Sequence, residues 1–200
     1  MMRTETMQKL TRDQMYPLEQ YAKMRGDFRA KVMAHKQNRR VAIGPHATLY
    51  FEDRLSMQYQ VQEMLRVERI FEEQGIEDEL NTYNPLIPDG SNWKATFMIE
   101  YGDEGERRAA LARMIGIERK VWAQVQGFDK VQPIADEDLE RETEEKTSSV
   151  HFLRFELTPA MVKAVKQDAA IGMGIDHDSY RHSVPVLPEN VRASLAADLE

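Results

Sequence analysis

An α+β fold, with a mixed and mostly antiparallel sheet and helices packed on it, is predicted by three features of the chain. Trp93, Ala95, Phe97, Ile99 and Tyr101 alternate with Lys94, Thr96, Met98 and Glu100, the period of a half-buried strand. Between Leu55 and Gln74, Met57, Val61, Met64, Leu65, Val67 and Phe71 recur at helical spacing, and Gly75 follows. Across residues 93–157 the elements come in the order of a ferredoxin-like βαββαβ unit.

From the N-terminus, residues 1–10 read as a methionine-rich extension with little order. Thr11 and Gln14 have capping-box spacing, so a short helix starts near residue 12. Pro17 opens another turn to Met24, Gly26-Asp27 interrupts, and Phe28, Val32 and His35 place an amphipathic helix over 28–38. Residues 41–43 and 47–53 flank Gly44-Pro45-His46 and predict a hairpin. In the 55–74 helix Glu68 falls in the middle of the apolar stripe, and Leu55, Tyr59 and Ile70 form a second patch opposite. Two apolar sides call for a second layer or an oligomer contact, and a two-fold homodimer is the expected partner arrangement.

Prolines, a glycine and asparagines make 81–92 a loop. Asp103 caps a helix that Gly116 stops. Strands follow at 121–125 and 131–134, around Gln126-Gly127-Phe128-Asp129, and at 149–157. Thr158-Pro159 opens a helix to about Gln167, Ile171, Met173 and Ile175 mark a last strand, and 188–199 is a terminal helix. With no linker or repeat, the 200 residues are expected to form one domain.

Composition excludes whole chemistries. The absence of cysteine rules out disulfides, thiolate zinc sites, iron–sulfur clusters and cysteine nucleophiles within the chain, and fits a reducing, cytoplasmic compartment. The first ten residues have no apolar core of a secretory signal, and the longest nearly apolar run, Ala169 to Ile175, is too short to span a membrane. The net charge of −7 speaks against a general nucleic-acid binder. Charge is segregated all the same: Asp136 to Lys146 holds seven acids against two bases, and Arg25 to Arg40 holds six bases against one acid. Both runs read as solvated faces. Phosphate-loop, nucleophile-elbow and His-Glu-x-x-His motifs are missing from the sequence.

The candidate site residues are those that can still bind metal or move protons. His177, Asp178 and His182 lie in the run Asp176-His177-Asp178-Ser179-Tyr180-Arg181-His182, and His46 sits on the hairpin turn near Glu52 and Asp53 in sequence. Imidazole and carboxylate are metal ligands and proton carriers, so these four are candidate metal ligands if the segment turns. The alternative is a polar strand exit bonded to its own backbone. Gly172 and Gly174 leave a groove on one strand face for packing or a ligand. His35 and His151 are in register with apolar neighbours and read as hydrogen-bonded core histidines. Glu68, placed mid-stripe, needs an arginine partner or a catalytic or metal-bound role.

Three stretches, HKQNRRVAIGPHATLYFEDRLSMQYQVQEMLRVERIFEEQGIEDELNTYNPLIPDGSNWKATFMIEY, IADEDLERETEEKTSSVHFLRFELTP and GIDHDSYRH, resemble an uncharacterised bacterial family known as a domain of unknown function, DUF3501. The resemblance runs from about Leu10 onward. It implies no reaction, cofactor or catalytic residue, and at most a place near peroxide or electron-transfer systems. The cofactor is therefore unknown from sequence. The function expected is a cytoplasmic accessory or protein-interaction protein without chemistry of its own. The alternative is a metal-binding protein or metal-dependent enzyme using the 176–182 cluster.

Overall fold

The computed structural model describes residues 8–200. The expected N-terminal extension lies outside the described residues as far as Met7. Leu10, in contrast, is buried, and its backbone N–H donates to Asn84 Oδ1 at 2.8 Å.

Among the described residues, eight strands and six helices are assembled in the predicted α+β class, the strands in two antiparallel sheets. β1 (Arg40–Ile43), β2 (Ala47–Phe51), β3 (Asn92–Ile99), β5 (Ile134–Ala135) and β6 (Val150–Glu156) form a five-stranded sheet in the order β1-β2-β3-β6-β5. β4 (Val121–Val125), β7 (Ile171–His177) and β8 (Tyr180–Val184) form a second sheet in the order β4-β7-β8. The expected ferredoxin-like unit over 93–157 does not form, because β3, β5 and β6 belong to one sheet and β4 to the other.

Alternation does what it predicts. Trp93, Ala95, Phe97 and Ile99 of β3 face the same way as Leu153 and Phe155 of β6, in register Trp93 with Phe155 and Ala95 with Leu153. These side chains share one core with Val121 and Val125 of β4 and Ile171, Met173 and Ile175 of β7. Three helices close it: α4 (Glu104–Arg113), α5 (Pro159–Lys166) and α6 (Glu189–Ala196) contribute Leu111, Val165 and Leu195.

The helical layer departs most from the sequence expectation. A single helix, α1 (Leu18–Gln37), replaces the two expected pieces and runs through Gly26. One continuous helix over 55–74 is likewise not formed. α2 (Arg54–Val67) ends at Glu68, Arg69 takes a left-handed φ of 56°, and α3 (Glu73–Tyr83) starts anew with Gly75 inside it. The Ile70 N–H closes the break on Leu65 O at 2.9 Å. Met57, Val61 and Leu65 are buried as predicted, whereas Glu68 is exposed and Phe71 is 74% exposed. Glu68 therefore needs no buried arginine partner. Leu55 and Tyr59, expected to seek a second subunit, pack against Tyr21, Phe28 and Val32 of α1 within the same chain. The 81–92 loop is shortened by α3, which reaches Tyr83 and passes into a 3₁₀ turn at Asn84–Leu86.

α1 and α2 are also joined by charge. Glu63 accepts from the Arg25 Nε and Nη2 atoms at 2.8 Å each and from Tyr21 Oη at 2.7 Å. The Arg25 guanidinium, with the Tyr21 hydroxyl, holds the Glu63 carboxyl down at about 2. A depressed carboxyl stabilises the fold above its unfolded value, and that gain is lost as pH falls through the range from about 4 to 2. Glu63→Gln should accordingly lose about 1–2 kcal/mol at pH 7 and much less at pH 2, measured by urea unfolding at both pH values.

Candidate functional site

The four residues singled out as metal ligands go to two places. Asp178 and Ser179 form the turn between β7 and β8, and His177 faces Tyr180 across that turn. Ser179 N donates to His177 Nδ1 at 3.1 Å, so Nε2 carries the proton and donates to Ile115 O at 3.1 Å. Both ring nitrogens of His177 are thus spent on backbone. Asp178 is exposed, 3.5 Å from Arg181.

His46 and His182 both lie instead at the β1–β2 turn, each with other partners. Tyr180 Oη donates to Ile43 O at 2.7 Å and accepts from His46 N at 2.9 Å, pinning that turn to the second sheet. His46 Nδ1 donates to Glu100 O at 3.0 Å and its ring stacks on Tyr101 with centroids 3.9 Å apart. The His182 ring lies over Gly44, where a Cβ would meet it at 2.6 Å, and Gly44 has a φ of 72°. A side chain at Gly44 is excluded twice, by conformation and by contact. Glu52 and Asp53, close to His46 in sequence, are carried to the far end of β2. Among the described residues, no group of three or more His, Cys, Asp or Glu side chains is placed to hold a metal ion.

The groove expected at Gly172 and Gly174 is filled. The indole of Trp122 lies where a Cβ on Gly174 would sit, and the Pro185 carbonyl occupies the same place at Gly172. Close cross-strand packing is what the glycines permit.

A site that the sequence reading passed over lies in and under the acidic run. Asp136 ends β5 with a left-handed φ of 51°, which turns its carboxylate back toward β6. His151 of β6, fully buried as its register predicts, has Nδ1 2.6 Å from Asp136 Oδ2 and Nε2 2.9 Å from Thr147 Oγ1. Asp136 Oδ1 also accepts from Phe152 N at 2.9 Å and lies 3.3 Å from Arg141 Nη1.

The order Thr147, His151, Asp136 matches a nucleophile, base and orienting acid. Thr147 is only 1% exposed, however, and Ser148 O at 3.1 Å competes for the same imidazole nitrogen. A hydroxyl closed off from solvent meets no substrate, so the three residues anchor the loop. His35 is also an anchor rather than a core residue. It is half-buried, with Nε2 2.5 Å from Asp53 Oδ2.

The anchored loop separates two cavities that share Glu137, Asp138, Leu139 and Arg141. The larger, about 680 Å³, lies between the end of α3 and the outer face of β6, with Tyr83, Pro85, Leu86, Leu139 and Phe152 among its walls. Charges at its rim are paired: Arg154 with Glu137 at 2.7 Å, Arg141 with Asp138 at 2.5 Å. Lys94 Nζ donates to Pro85 O at 2.6 Å, and desolvation holds its ammonium below the usual lysine range. Leu139 stands 56% exposed on the loop. The smaller cavity, about 400 Å³, lies on the other side of the loop against Glu118 and Arg119.

Comparison with known proteins gives a family and a fold relative. Residues 9–199 match a family described as a protein of unknown function, DUF3501. A crystal structure of a novel protein of unknown function from Burkholderia pseudomallei K96243 is similar, with 52% sequence identity and a TM-score of 0.92, over 96% of this chain and 100% of that one. No curated protein matches.

Proposed function

This chain belongs to the DUF3501 family of proteins of unknown function, and we propose that it works as a cytoplasmic accessory protein that binds a protein partner and carries no chemistry of its own. The observation that carries this reading is the 680 Å³ cleft beside the 136–147 loop. Its walls are largely apolar, four of its five charged side chains are paired with one another, the fifth, Lys94, is tied to Pro85 O, and no histidine lines it. A charged substrate would find most of this rim already paired, whereas an apolar segment of a partner gains by burying its surface and that of Leu139. The chain acts as a single domain in this reading, and the partner class to examine first is a peroxide-handling or electron-transfer protein, as the family resemblance implies. The two-fold dimer has less support than the sequence suggested, since α1 already covers Leu55 and Tyr59.

A photo-crosslinking residue placed at Leu139, in cells that make the protein, tests the proposal. The expected result is a discrete protein adduct that disappears with Phe152→Asp and does not form from a probe at Asp178. No adduct, or an adduct indifferent to Phe152→Asp, would overturn the reading. The metal-dependent alternative at His177, Asp178, His182 and His46 requires His177 to give up Ile115 O. Near-stoichiometric metal in protein purified without chelator or tag would establish it.

A further inference from the structure

One charge in the larger cleft has no counter-charge, and it sets the chemistry of what the cleft receives. We propose, resting on the partner-binding reading above, that the partner segment carries an aspartate or glutamate among its apolar residues and that Lys94 recognises its carboxylate. Three bases, Lys94, Arg141 and Arg154, line the cleft against two acids, Glu137 and Asp138. Each acid is taken by an arginine fork. Arg154 donates to the two Glu137 oxygens at 2.9 and 2.7 Å, and Arg141 to the two Asp138 oxygens at 2.5 and 2.7 Å. The remaining Arg154 Nη1 goes to Glu156 at 2.6 Å. Lys94 forms no ion pair among the described residues. Its ammonium, reachable from solvent, gives one of its three N–H groups to a neutral carbonyl, Pro85 O at 2.6 Å.

The strand pairing leaves this cation over. Lys94 of β3 is in register with Arg154 of β6, which places two bases side by side on the outer face of the sheet. Asp89, the carboxylate that pulls hardest on Lys94, is spent on Ser91 N at 3.2 Å and Ser91 Oγ at 3.0 Å. Desolvation outweighs that pull and holds the ammonium below the usual lysine range. Part of the cost of stripping water from Lys94 is therefore met within the fold, before any partner arrives.

The occupant follows from what each alternative would do to that ammonium. A purely apolar segment laid over the cleft would cover a cation with two N–H groups unanswered, a costly burial. A basic segment would meet a lining with one positive charge in excess. A carboxylate between apolar residues answers the free N–H groups with a charge-assisted hydrogen bond, while its neighbours cover Leu86, Leu139 and Phe152.

Octanoate, octanol and octylammonium carry the same apolar chain with three different head groups, and their titration into the full chain, followed by amide NMR shifts, reads the preference of the cleft. Octanoate should move the signals of Tyr83, Leu86 and Phe152 and bind at least about tenfold more tightly than octanol, with octylammonium the weakest. Lys94→Met, which keeps the apolar stem, should reduce octanoate to the affinity of octanol, and Lys94→Arg should keep the preference. The proposal is overturned if octanol or octylammonium binds as tightly as octanoate, or if the preference survives Lys94→Met. A fatty acid extracted from the purified protein would make a free carboxylate the occupant and overturn the partner as its source. A Leu139 adduct that persists with Lys94→Glu would overturn this proposal and leave the partner reading standing, whereas the absence of any adduct would remove both.

Discussion

Arg39→Ala should destabilise the protein by about 3–5 kcal/mol, the largest loss expected from any single charge removal in the fold. Arg39 is 2% exposed and every nitrogen of its guanidinium is used. Nε donates to Phe51 O at 3.0 Å, Nη1 to Ser194 O and Oγ at 3.2 Å, and Nη2 to Glu52 O at 3.1 Å and Asp198 Oδ2 at 2.6 Å. Asp53 Oδ2 lies 3.3 Å from Nε. Removing the cation strands Asp198, whose carboxyl burial already pushes up to about 6 against the pull of Arg39.

Arg39→Lys should recover little, because an ammonium cannot span three carbonyls and two carboxylates with one planar fork. Replacing both partners, as Arg39→Met with Asp198→Leu, should cost less than Arg39→Ala alone, since Asp198 is then not left as a buried charge without its partner. Urea unfolding of the three variants at pH 7 provides the measurement. A loss below about 1 kcal/mol for Arg39→Ala would show that the network contributes no net stability.

Gly174→Val is expected to cost more than about 3 kcal/mol or to leave the chain insoluble. An added Cβ would lie 2.3 Å from Trp122 Cζ2, 2.6 Å from Cε2 and 3.0 Å from His182 O. The indole has no easy retreat: it is 6% exposed, its strand is in register Trp122 with Gly174, and the Lys130 ammonium sits 4.0 Å over its ring. If the clash with the ring is the cause, adding Trp122→Ala should restore part of the loss, so that the double variant is more stable than Gly174→Val alone. A fully folded Gly174→Val with an unchanged thermal midpoint would mean that the sheet has slack at this pair.

Period-2 alternation made β3 and β6 legible from sequence, because each has one face in the core and polar residues on the other. The same reasoning placed His151 inward, and a buried imidazole requires a partner. The acidic run beginning fifteen residues earlier could have supplied it. What hid Asp136 was its backbone: nothing in Ala135-Asp136-Glu137 announces a left-handed residue, which a non-glycine adopts only when its surroundings impose it.

The break between α2 and α3 was hidden for a similar reason. Val67 and Phe71 continue the apolar phase of α2, so periodicity carried the helix through Arg69, which has no local breaker beside it. Glycine was misleading in the opposite sense, since Gly26 and Gly75 both lie inside helices. Neighbourhood in sequence placed His177 beside His182, whereas the β7–β8 hairpin spends His177 on Ile115 and gives His182 to the turn of β1–β2.

The bond between Arg39 and Asp198 spans 159 residues, that from Tyr180 to Ile43 spans 137, and that from Trp93 to Leu195 spans 102. During synthesis, therefore, β1 and β2 emerge long before the groups that satisfy them. The nascent chain carries a guanidinium and a backbone carbonyl with nowhere dry to go until α6 has been translated. Ordering must wait for the closing of long loops, whose entropy is lost before their contacts are gained, and this makes for slow folding of the whole rather than growth from the N-terminus. While it waits, the half-made sheet offers an unpaired edge and a bare apolar face, the form in which this chain is most exposed to aggregation and most in need of a chaperone.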